Sequence, residues 1–284
     1  MRLALSVRIA EQPRAKDRIA VPFAELARMA AGAGFEGLSL RASVVSVHAP
    51  PEAVEAVRAV VEREGLAVSM LTGDLPLAVN DAQATRAIRG IGPYLDLAEM
   101  LGTKLIRVML HGANDLASAR AAAERAAARG LTLCQQTHWG SLCETVDGAL
   151  RTVSAVDRPG FRLTYEPANL LACGEDPEAA IAPLAPYLAN VYYQNLRLDP
   201  GSPTAFPTRC RGPVGVCFIA LDAAGGIDPA PLVANLAAAG YDGWLTVHQP
   251  LIDGESVAGA IAAAARRFRP LVEAAGRLSL RADS

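Results

Sequence analysis

Residues 94–110 read YLDLAEMLGTKLIRVML, and this stretch decides the fold. In its first half, apolar residues recur at the spacing of an α-helix, at Tyr94, Leu97, Ala98 and Leu101. Gly102 follows as a helix terminator. The nearly continuous apolar run at 104–110 then predicts a parallel strand that is buried on both faces. The stretch is therefore one helix-to-strand unit of an α/β protein.

The same unit recurs along the chain. The β-type runs are residues 3–7, 37–41, 66–71, 104–110, 131–136, 161–166, 190–195 and 244–248. The glycines that precede them after helical patterns are Gly34, Gly65, Gly102, Gly130 and Gly240. Eight strands that alternate with helices in 284 residues predict one α/β domain over residues 1–284, a single (β/α)₈ TIM barrel. The segment 199–226, rich in Gly, Pro and Thr, is predicted to be a long loop after strand seven.

Composition excludes several classes of function. The 27 basic and 29 acidic residues give a net charge of −2, which offers no basic surface to nucleic acid. Apolar stretches stay well short of the ~20 residues that a membrane span needs. The five cysteines form no CxxC pair, which is typical of a reduced, cytoplasmic protein. We therefore predict a cytoplasmic protein that binds neither nucleic acid nor membrane, and the chain lacks the glycine-rich motifs of nucleotide-binding folds.

Polar side chains gather at the predicted carboxyl ends of the strands, where barrels place their chemistry. Glu166 ends strand six and His248 ends strand eight. The other candidates on this face are Arg41, His48, His111, Gln136, His138, Trp139, Asn169, Gln194 and Arg197. A carboxylate at a barrel mouth is costly unless it is paired, bound to metal or used as an acid or base. Glu166 and His248 are therefore the leading candidates for catalysis.

Four motifs occur in the order in which one known family has them. They are GFEGLSLR at 34–41, LAEMLGTKLIRV at 97–108, YEPANL at 165–170, and GID at 226–228 with GYDGWLTV at 240–247. Together they resemble the xylose-isomerase-like TIM barrels, a superfamily of sugar and sugar-phosphate isomerases and epimerases. The resemblance implies the barrel fold, a role in carbohydrate metabolism and a homodimer.

Members of that family typically hold one divalent metal with four side chains, at the ends of strands five to eight. The resemblance places those positions at Gln136, Glu166, Gln194 and His248, so a single carboxylate remains. Hard cations such as Mg²⁺ and Mn²⁺ prefer anionic oxygen ligands. If a metal is retained, Glu166, His248 and His138 are its expected ligands, as a nitrogen-rich site for zinc. We therefore expect an atypical or absent metal site, with zinc or manganese as the candidate ions.

The leading interpretation is an isomerase or epimerase that moves a proton beside the carbonyl of a small polyhydroxylated or keto substrate. Glu166 and His248 form its acid–base pair. The residues expected to bind the substrate are Gln136, Gln194 and Asn169 through hydroxyls, Arg41 or Arg197 through a carboxylate or phosphate, Trp139 by stacking, and His111 and His138 on the same face.

Two other interpretations stay open. In one, a remodelled, histidine-rich metal site supports a lyase, dehydratase or hydrolase reaction. In the other, the barrel binds a sugar-like ligand and has lost turnover. A measurement of metal content distinguishes the metal-assisted enzyme from the leading interpretation. A panel of substrates distinguishes the barrel without turnover from it.

Overall fold

A computed structural model describes residues 1–12 and 15–282 of the chain. Its strands are β1 (Arg2–Ser6), β2 (Glu11–Gln12), β3 (Ala15–Ile19), β4 (Gly37–Leu40), β5 (Ala67–Leu71), β6 (Leu105–Val108), β7 (Thr132–Gln136), β8 (Phe161–Tyr165), β9 (Leu188–Tyr193), β10 (Leu196–Leu198), β11 (Ala205–Thr208), β12 (Gly212–Phe218) and β13 (Trp244–Val247). Its α-helices are α1 (Phe23–Gly32), α2 (Pro51–Arg63), α3 (Leu75–Val79), α4 (Arg86–Arg89), α5 (Gly92–Met100), α6 (Leu116–Ala128), α7 (Val146–Val156), α8 (Pro167–Ala172), α9 (Ile181–Leu184), α10 (Pro229–Ala238) and α11 (Val257–Ala282). A 3₁₀ turn, Val7–Ala10, follows β1 directly.

Eight parallel strands close a barrel in the order β1, β13, β9, β8, β7, β6, β5 and β4. β1 pairs with both β4 and β13, so the first and last strands of the barrel are neighbours. Each barrel strand begins and ends within two residues of its predicted limits. The closed parallel barrel with helices between its strands confirms the predicted α/β TIM barrel.

Two apolar clusters hold the barrel together. The larger one lies between strands and helices and includes Leu5, Leu71 and Leu133. Met70, Cys134 and Tyr192 form a separate cluster. Because successive side chains of a strand point to opposite faces, these three residues point into the barrel. The barrel interior is thus filled with side chains beneath its carboxyl end.

Glycines end the helices where the sequence predicts. Gly102 follows α5 with a φ of +70°, and Gly130 follows α6 with a φ of +67°. This left-handed backbone suits glycine because a β-carbon there would meet the neighbouring carbonyl. The chain then turns directly into the next strand.

Residues 199–226 are not the plain loop that their composition predicts. β10, β12 and β11 form a small antiparallel sheet that grows from the end of β9. Asn195 ties the two ends of this insertion together. Its side-chain oxygen accepts the backbone N–H of Ile227 at 3.2 Å, and its amide donates to the carbonyl of Ala220 at 2.8 Å. The Gly- and Pro-rich composition therefore belongs to a folded flap, defined here as residues 196–218.

None of the described helices combines the length and apolarity that crossing a bilayer requires. The homodimer and the cytoplasmic location stay predictions.

Candidate functional site

A cavity of about 270 Å³ lies at the carboxyl end of the barrel, and strand ends supply most of its wall. The polar and aromatic side chains that line it are Arg8, Lys16, Arg41, Asn80, Arg107, Gln136, His138, Trp139, Asn169, Gln194, Thr204, Phe206, Phe218 and His248. Seven of the residues predicted from the sequence are among them: Arg41, Gln136, His138, Trp139, Asn169, Gln194 and His248. The structure thus brings most of the predicted candidates together.

Three other predicted candidates lie away from this wall. Arg197 is an exposed residue of β10, with a guanidinium nitrogen 3.9 Å from Asp199. His111 lines a separate, open groove with Arg209 and Asp115. His48 is exposed in the loop after β4. All four histidines follow barrel strands, as predicted, but His48 and His111 lie outside this cavity, because the carboxyl face of the barrel is wider than the cavity.

Glu166 is the fourth predicted candidate outside the lining, and it lies behind the cavity wall. Its side chain is fully buried, and its Oε2 accepts a hydrogen bond from Gln136 Nε2 at 2.9 Å. Its Oε1 has no hydrogen-bond partner among the described residues. Burial raises the pKa of Glu166 from 4.5 to about 7, opposed in part by the Gln194 amide, by Arg8, by the Gln136 hydrogen bond and by Arg107. Glu166 therefore acts on the cavity indirectly, through its hydrogen bond with the Gln136 side chain.

Arg107, from β6, organises one side of the cavity. Its Nε donates to Gln136 Oε1 at 2.8 Å, and its two terminal nitrogens donate to the Leu77 carbonyl and to Asn80 Oδ1. Gln136 is then held at both ends, between Arg107 and Glu166. These acceptors are all neutral, so the charge of Arg107 has no direct counter-ion in the part of the chain that the structure describes.

His138 is held as a neutral imidazole. Its Nδ1 lies 2.6 Å from the Trp139 carbonyl, so this nitrogen donates, and its Nε2 lies 3.0 Å from the Asn80 amide nitrogen, so this one accepts. Burial and the charge of Arg107 lower its pKa well below 6.5. Because both ring nitrogens are engaged, His138 serves to position Asn80 and Trp139.

His248 follows β13 and presents one free nitrogen. Its Nδ1 lies 2.9 Å from Ser6 Oγ, and its ring stacks on Tyr192 with ring centroids 4.0 Å apart and the planes nearly parallel. Nε2 has no hydrogen-bond partner among the described residues, so it is the nitrogen left for a ligand. Burial and the nearby Arg8 and Arg41 lower the pKa of His248 well below 6.5. A neutral imidazole on a cavity wall is a proton acceptor.

Two further cations enter from the first barrel strand and its hairpin. Arg8 lies in the 3₁₀ turn after β1, and Lys16 lies in β3. Neither has an acidic partner within 4.0 Å among residues 1–12 and 15–282. Burial, followed by the charge of Arg41, lowers the pKa of Arg8 to about 10. Burial, followed by the charge of Arg8, lowers that of Lys16 to about 7.

Arg41 differs from these two because it is paired. Its Nε lies 2.6 Å from Glu11 Oε1, both side chains are buried, and its terminal nitrogen donates to the Ala78 carbonyl. Arg41 was predicted to hold a substrate anion. In this structure its charge already has the Glu11 carboxylate as counter-ion.

The flap closes one side of the cavity with aromatic rings. Phe206 from β11 and Phe218 from β12 line the wall, and the Phe206 ring lies 5.5 Å from that of Trp139. The tip of the flap is fastened to the barrel by Glu144, whose oxygens accept the backbone N–H groups of Arg209 and Cys210 at 2.9 and 2.6 Å. The guanidinium carbon of Arg8 lies over the Phe218 ring, 5.7 Å from its centroid, so apolar rings and cations share the lining of the cavity.

The donor set does not fit a divalent metal. The ligand atoms of Glu166, His248 and His138 do not all approach within 4.8 Å of one another, and His138 has both nitrogens engaged. Arg8 and Arg107 line the same cavity, and their positive charges repel a metal cation. One group of possible ligand atoms within 4.8 Å of one another does occur among the described residues, at Glu144, Cys173 and Cys210. Both carboxylate oxygens of Glu144, however, already accept hydrogen bonds from backbone N–H groups.

We expect a chelator to leave the protein unchanged. Incubation with EDTA followed by desalting should not alter the melting temperature, and added Zn²⁺ or Mn²⁺ should raise it by less than about 1 °C, because stabilisation requires a ligand that binds the folded state. Elemental analysis of protein purified without a chelator is the companion measurement. Metal near one equivalent that survives desalting would contradict this expectation.

Sequence reasoning missed Arg8, Lys16, Asn80 and Arg107. Arg107 stands inside a strand run and Arg8 directly after one, and a charge at either place is a signal that can be read from sequence. Lys16 and Asn80 carry no such signal, since a hairpin and a short helix bring them to the site. Asn80 ends α3 with a left-handed backbone, at φ +57°.

A family model described as xylose isomerase-like TIM barrel matches residues 27–271. No curated protein matches the sequence significantly. Among solved structures, a xylose isomerase domain protein from Planctomyces limnophilus is similar, with 16% identity, 98% of each chain covered and a TM-score of 0.71. So is the probable 3-DHS dehydratase AsbF from Bacillus anthracis, with 17% identity, 94% of this chain and 98% of that one covered, and a TM-score of 0.67.

A third similar structure is the 3-keto-D-glucoside 4-epimerase YcjR from E. coli. The identity is 14%, the alignment covers 94% of this chain and 98% of that one, and the TM-score is 0.64. At such identities these likenesses concern the fold alone, and the reaction has to be argued from the site.

Proposed function

The chain belongs to the xylose isomerase-like TIM barrel family, and on that premise we propose that it is an isomerase acting on a small polyhydroxylated keto or aldehyde substrate. His248 moves the proton beside the substrate carbonyl, and guanidinium groups supply the positive charge. The observation that carries the proposal is the neutral His248 imidazole, with a free Nε2, on the wall of a cavity that also holds Arg8 and Arg107.

The proton transfer starts at His248 Nε2. This nitrogen takes the proton from the carbon beside the carbonyl, and the electron pair of the broken C–H bond moves onto the carbonyl oxygen. Because its pKa is lowered, His248 is neutral near pH 7 and ready to accept a proton. The same nitrogen then returns the proton to the former carbonyl carbon, while the hydroxyl proton of the carbon that lost its hydrogen passes to the negatively charged oxygen, which completes an aldose–ketose isomerisation.

The negative charge that develops on the oxygen needs a positive partner. The guanidinium group of Arg8 has no hydrogen-bond partner among the described residues, so its N–H groups are available to a ligand. Fixed cations aimed at a developing oxyanion stabilise the transition state without reorganising. The buried Oε1 of Gln194 accepts no hydrogen bond from the described residues, so it is able to accept one from a substrate hydroxyl.

Glu166 has a different role from the one predicted for it. Because it lies behind Gln136, we assign it to positioning that amide and to setting the local charge. With one proton carrier in contact with the substrate, isomerisation is favoured over epimerisation, which needs a second carrier on the opposite face of the carbon. The remodelled metal site for lyase or hydrolase chemistry has no support from the donor set.

Hydrogen exchange tests this function without knowledge of the substrate. A panel of aldoses, ketoses, their phosphates and hydroxy-keto acids is incubated with the protein and EDTA in D₂O and followed by NMR. We expect one member to lose the proton beside its carbonyl and to gain deuterium there or at the neighbouring carbon. Saturable binding without exchange or product across the panel would overturn the proposal in favour of a non-catalytic barrel.

A further inference from the structure

We propose that the ligand of this cavity carries a dianionic group, a phosphate monoester or a pair of carboxylates, held by Arg8, Lys16 and Arg107. This inference concerns the same cavity as the proposed function and rests on it only for the rest of the ligand, the hydroxyl and carbonyl part. The anion site itself is argued from charge, partners and size.

Charge is the first observation. Arg8, Lys16, Arg41 and Arg107 line the cavity, and two carboxylates, Glu11 and Glu166, contact the lining residues. Four cations against two carboxylates leave an excess of two positive charges. Lys16 and Glu166 both titrate at about 7, so the excess stays at two whether both are charged or both are neutral. His138 and His248 are neutral and do not change it.

The partners of these cations are the second observation. Arg41 is neutralised by Glu11, and Arg107 donates to neutral acceptors only. Arg8 and Lys16 have neither an ion pair nor a side-chain hydrogen bond to any of the residues described. Charges removed from water without a partner are costly, and these repel one another. An anion in the cavity relieves both costs at once.

Size is the third observation. A volume of about 270 Å³ equals that of roughly nine water molecules in the liquid. It accepts an organic anion of a few carbon atoms and leaves no room for a nucleotide or an oligosaccharide. Trp139, Phe206 and Phe218 supply apolar surface to the lining, which leaves the carbon part of such a ligand a place beside the anion site.

Binding of small probes tests the inference by calorimetry and thermal shift. The probes are inorganic phosphate, glycerol 3-phosphate, succinate and the neutral sugar fructose. We expect the dianions to bind more tightly than fructose and to lose affinity as salt is raised. Tighter binding of glycerol 3-phosphate identifies a phosphate ester and tighter binding of succinate a dicarboxylate, and either supports the proposal. Fructose binding as tightly as the dianions, or no dianion binding at all, would overturn it.

Variants make the test specific. Arg8→Gln and Lys16→Gln should each weaken dianion binding by about tenfold or more, since each removes a charge-assisted hydrogen bond. Arg197→Gln is the matched control, because Arg197 is exposed and outside the cavity. Without ligand, the Arg8→Gln and Lys16→Gln variants should have melting temperatures no lower than that of the parent protein, because each substitution removes repulsion between cations. Equal losses of affinity in the Arg197 variant would contradict the assignment.

The outcomes also separate this inference from the proposed function. Dianion binding that requires Arg8 and Lys16, with no hydrogen exchange in any substrate, leaves the anion site standing and removes the isomerase. Exchange in a neutral sugar that the Lys16 variant retains, with no dianion bound by the parent protein, removes the anion site and leaves the isomerase standing.

Discussion

Replacing His248 with Gln should lower the rate of hydrogen exchange from substrate by roughly 100- to 10,000-fold, the usual contribution of a general base. The amide of Gln can still bond to Ser6 Oγ, but its nitrogen does not accept a proton near pH 7. Ligand affinity should change far less than the rate, because Arg8, Lys16 and Arg107 are untouched. Solvent-exchange NMR and calorimetry on the same protein separate the two effects.

His111→Gln is the matched control for this change. His111 also follows a barrel strand but lines the open groove with Arg209, outside the cavity. We expect its exchange rate to equal that of the parent protein. The assignment of His248 fails if the two variants behave alike, or if His248→Gln keeps the parent rate while its melting temperature shows that it is folded.

Replacing Glu166 with Gln should stabilise the protein at about pH 8 and leave its stability nearly unchanged at about pH 4.5. In the folded chain the pKa of Glu166 is raised from 4.5 to about 7. As pH rises through this interval, the unfolded chain releases a proton that the folded chain retains, so folding loses stability. A shift of this size corresponds to about 3 kcal/mol at pH 7 and above. Gln has no proton to lose and avoids that cost.

Chemical unfolding at the two pH values measures the effect. Gln at position 166 can accept from Gln136 through its oxygen and turn its nitrogen toward the place of the unpartnered Oε1. Glu25→Gln, an exposed residue of the first turn of α1, is the control and should show no comparable pH-dependent gain. A gain of equal size at both pH values, or a loss at pH 8, would show that the carboxylate is not the source of the cost.

The barrel was predictable because its strands carry strong signals. Buried parallel strands leave continuous apolar runs, and glycines such as Gly102 mark where helices turn into them. Seven cavity residues were predictable for a related reason, since carboxyl ends of parallel strands meet at one face. Arg107 lies inside a run that the pattern predicts as a strand. A charged residue inside such an apolar run is itself a signal of a functional position.

Other parts of the site depend on information that a strand pattern does not carry. Whether Glu166 lines the cavity or lies behind Gln136 is decided by side-chain packing. Arg197 follows β9 by four residues, yet the antiparallel flap carries it to the surface. Lys16 arrives from a hairpin whose pairing spans only a few residues. Long-range placement of this kind is fixed by tertiary structure.

The positions of Arg8, Arg41 and Arg107 on separate strands also bear on how the chain folds. Each follows or belongs to a different barrel strand, β1, β4 or β6, and the ring is complete only when β1 has paired with β13 near the other end of the chain. β1 pairs with β4, and β5 joins β4 to β6, so these charges approach one another when the first strands of the chain pair, before the ring closes. The later closure, between β1 and β13, requires contacts distant in sequence and is intrinsically slow. A dianion present during refolding would offset the repulsion in the early sheet, and so act as a folding aid before it acts as a ligand.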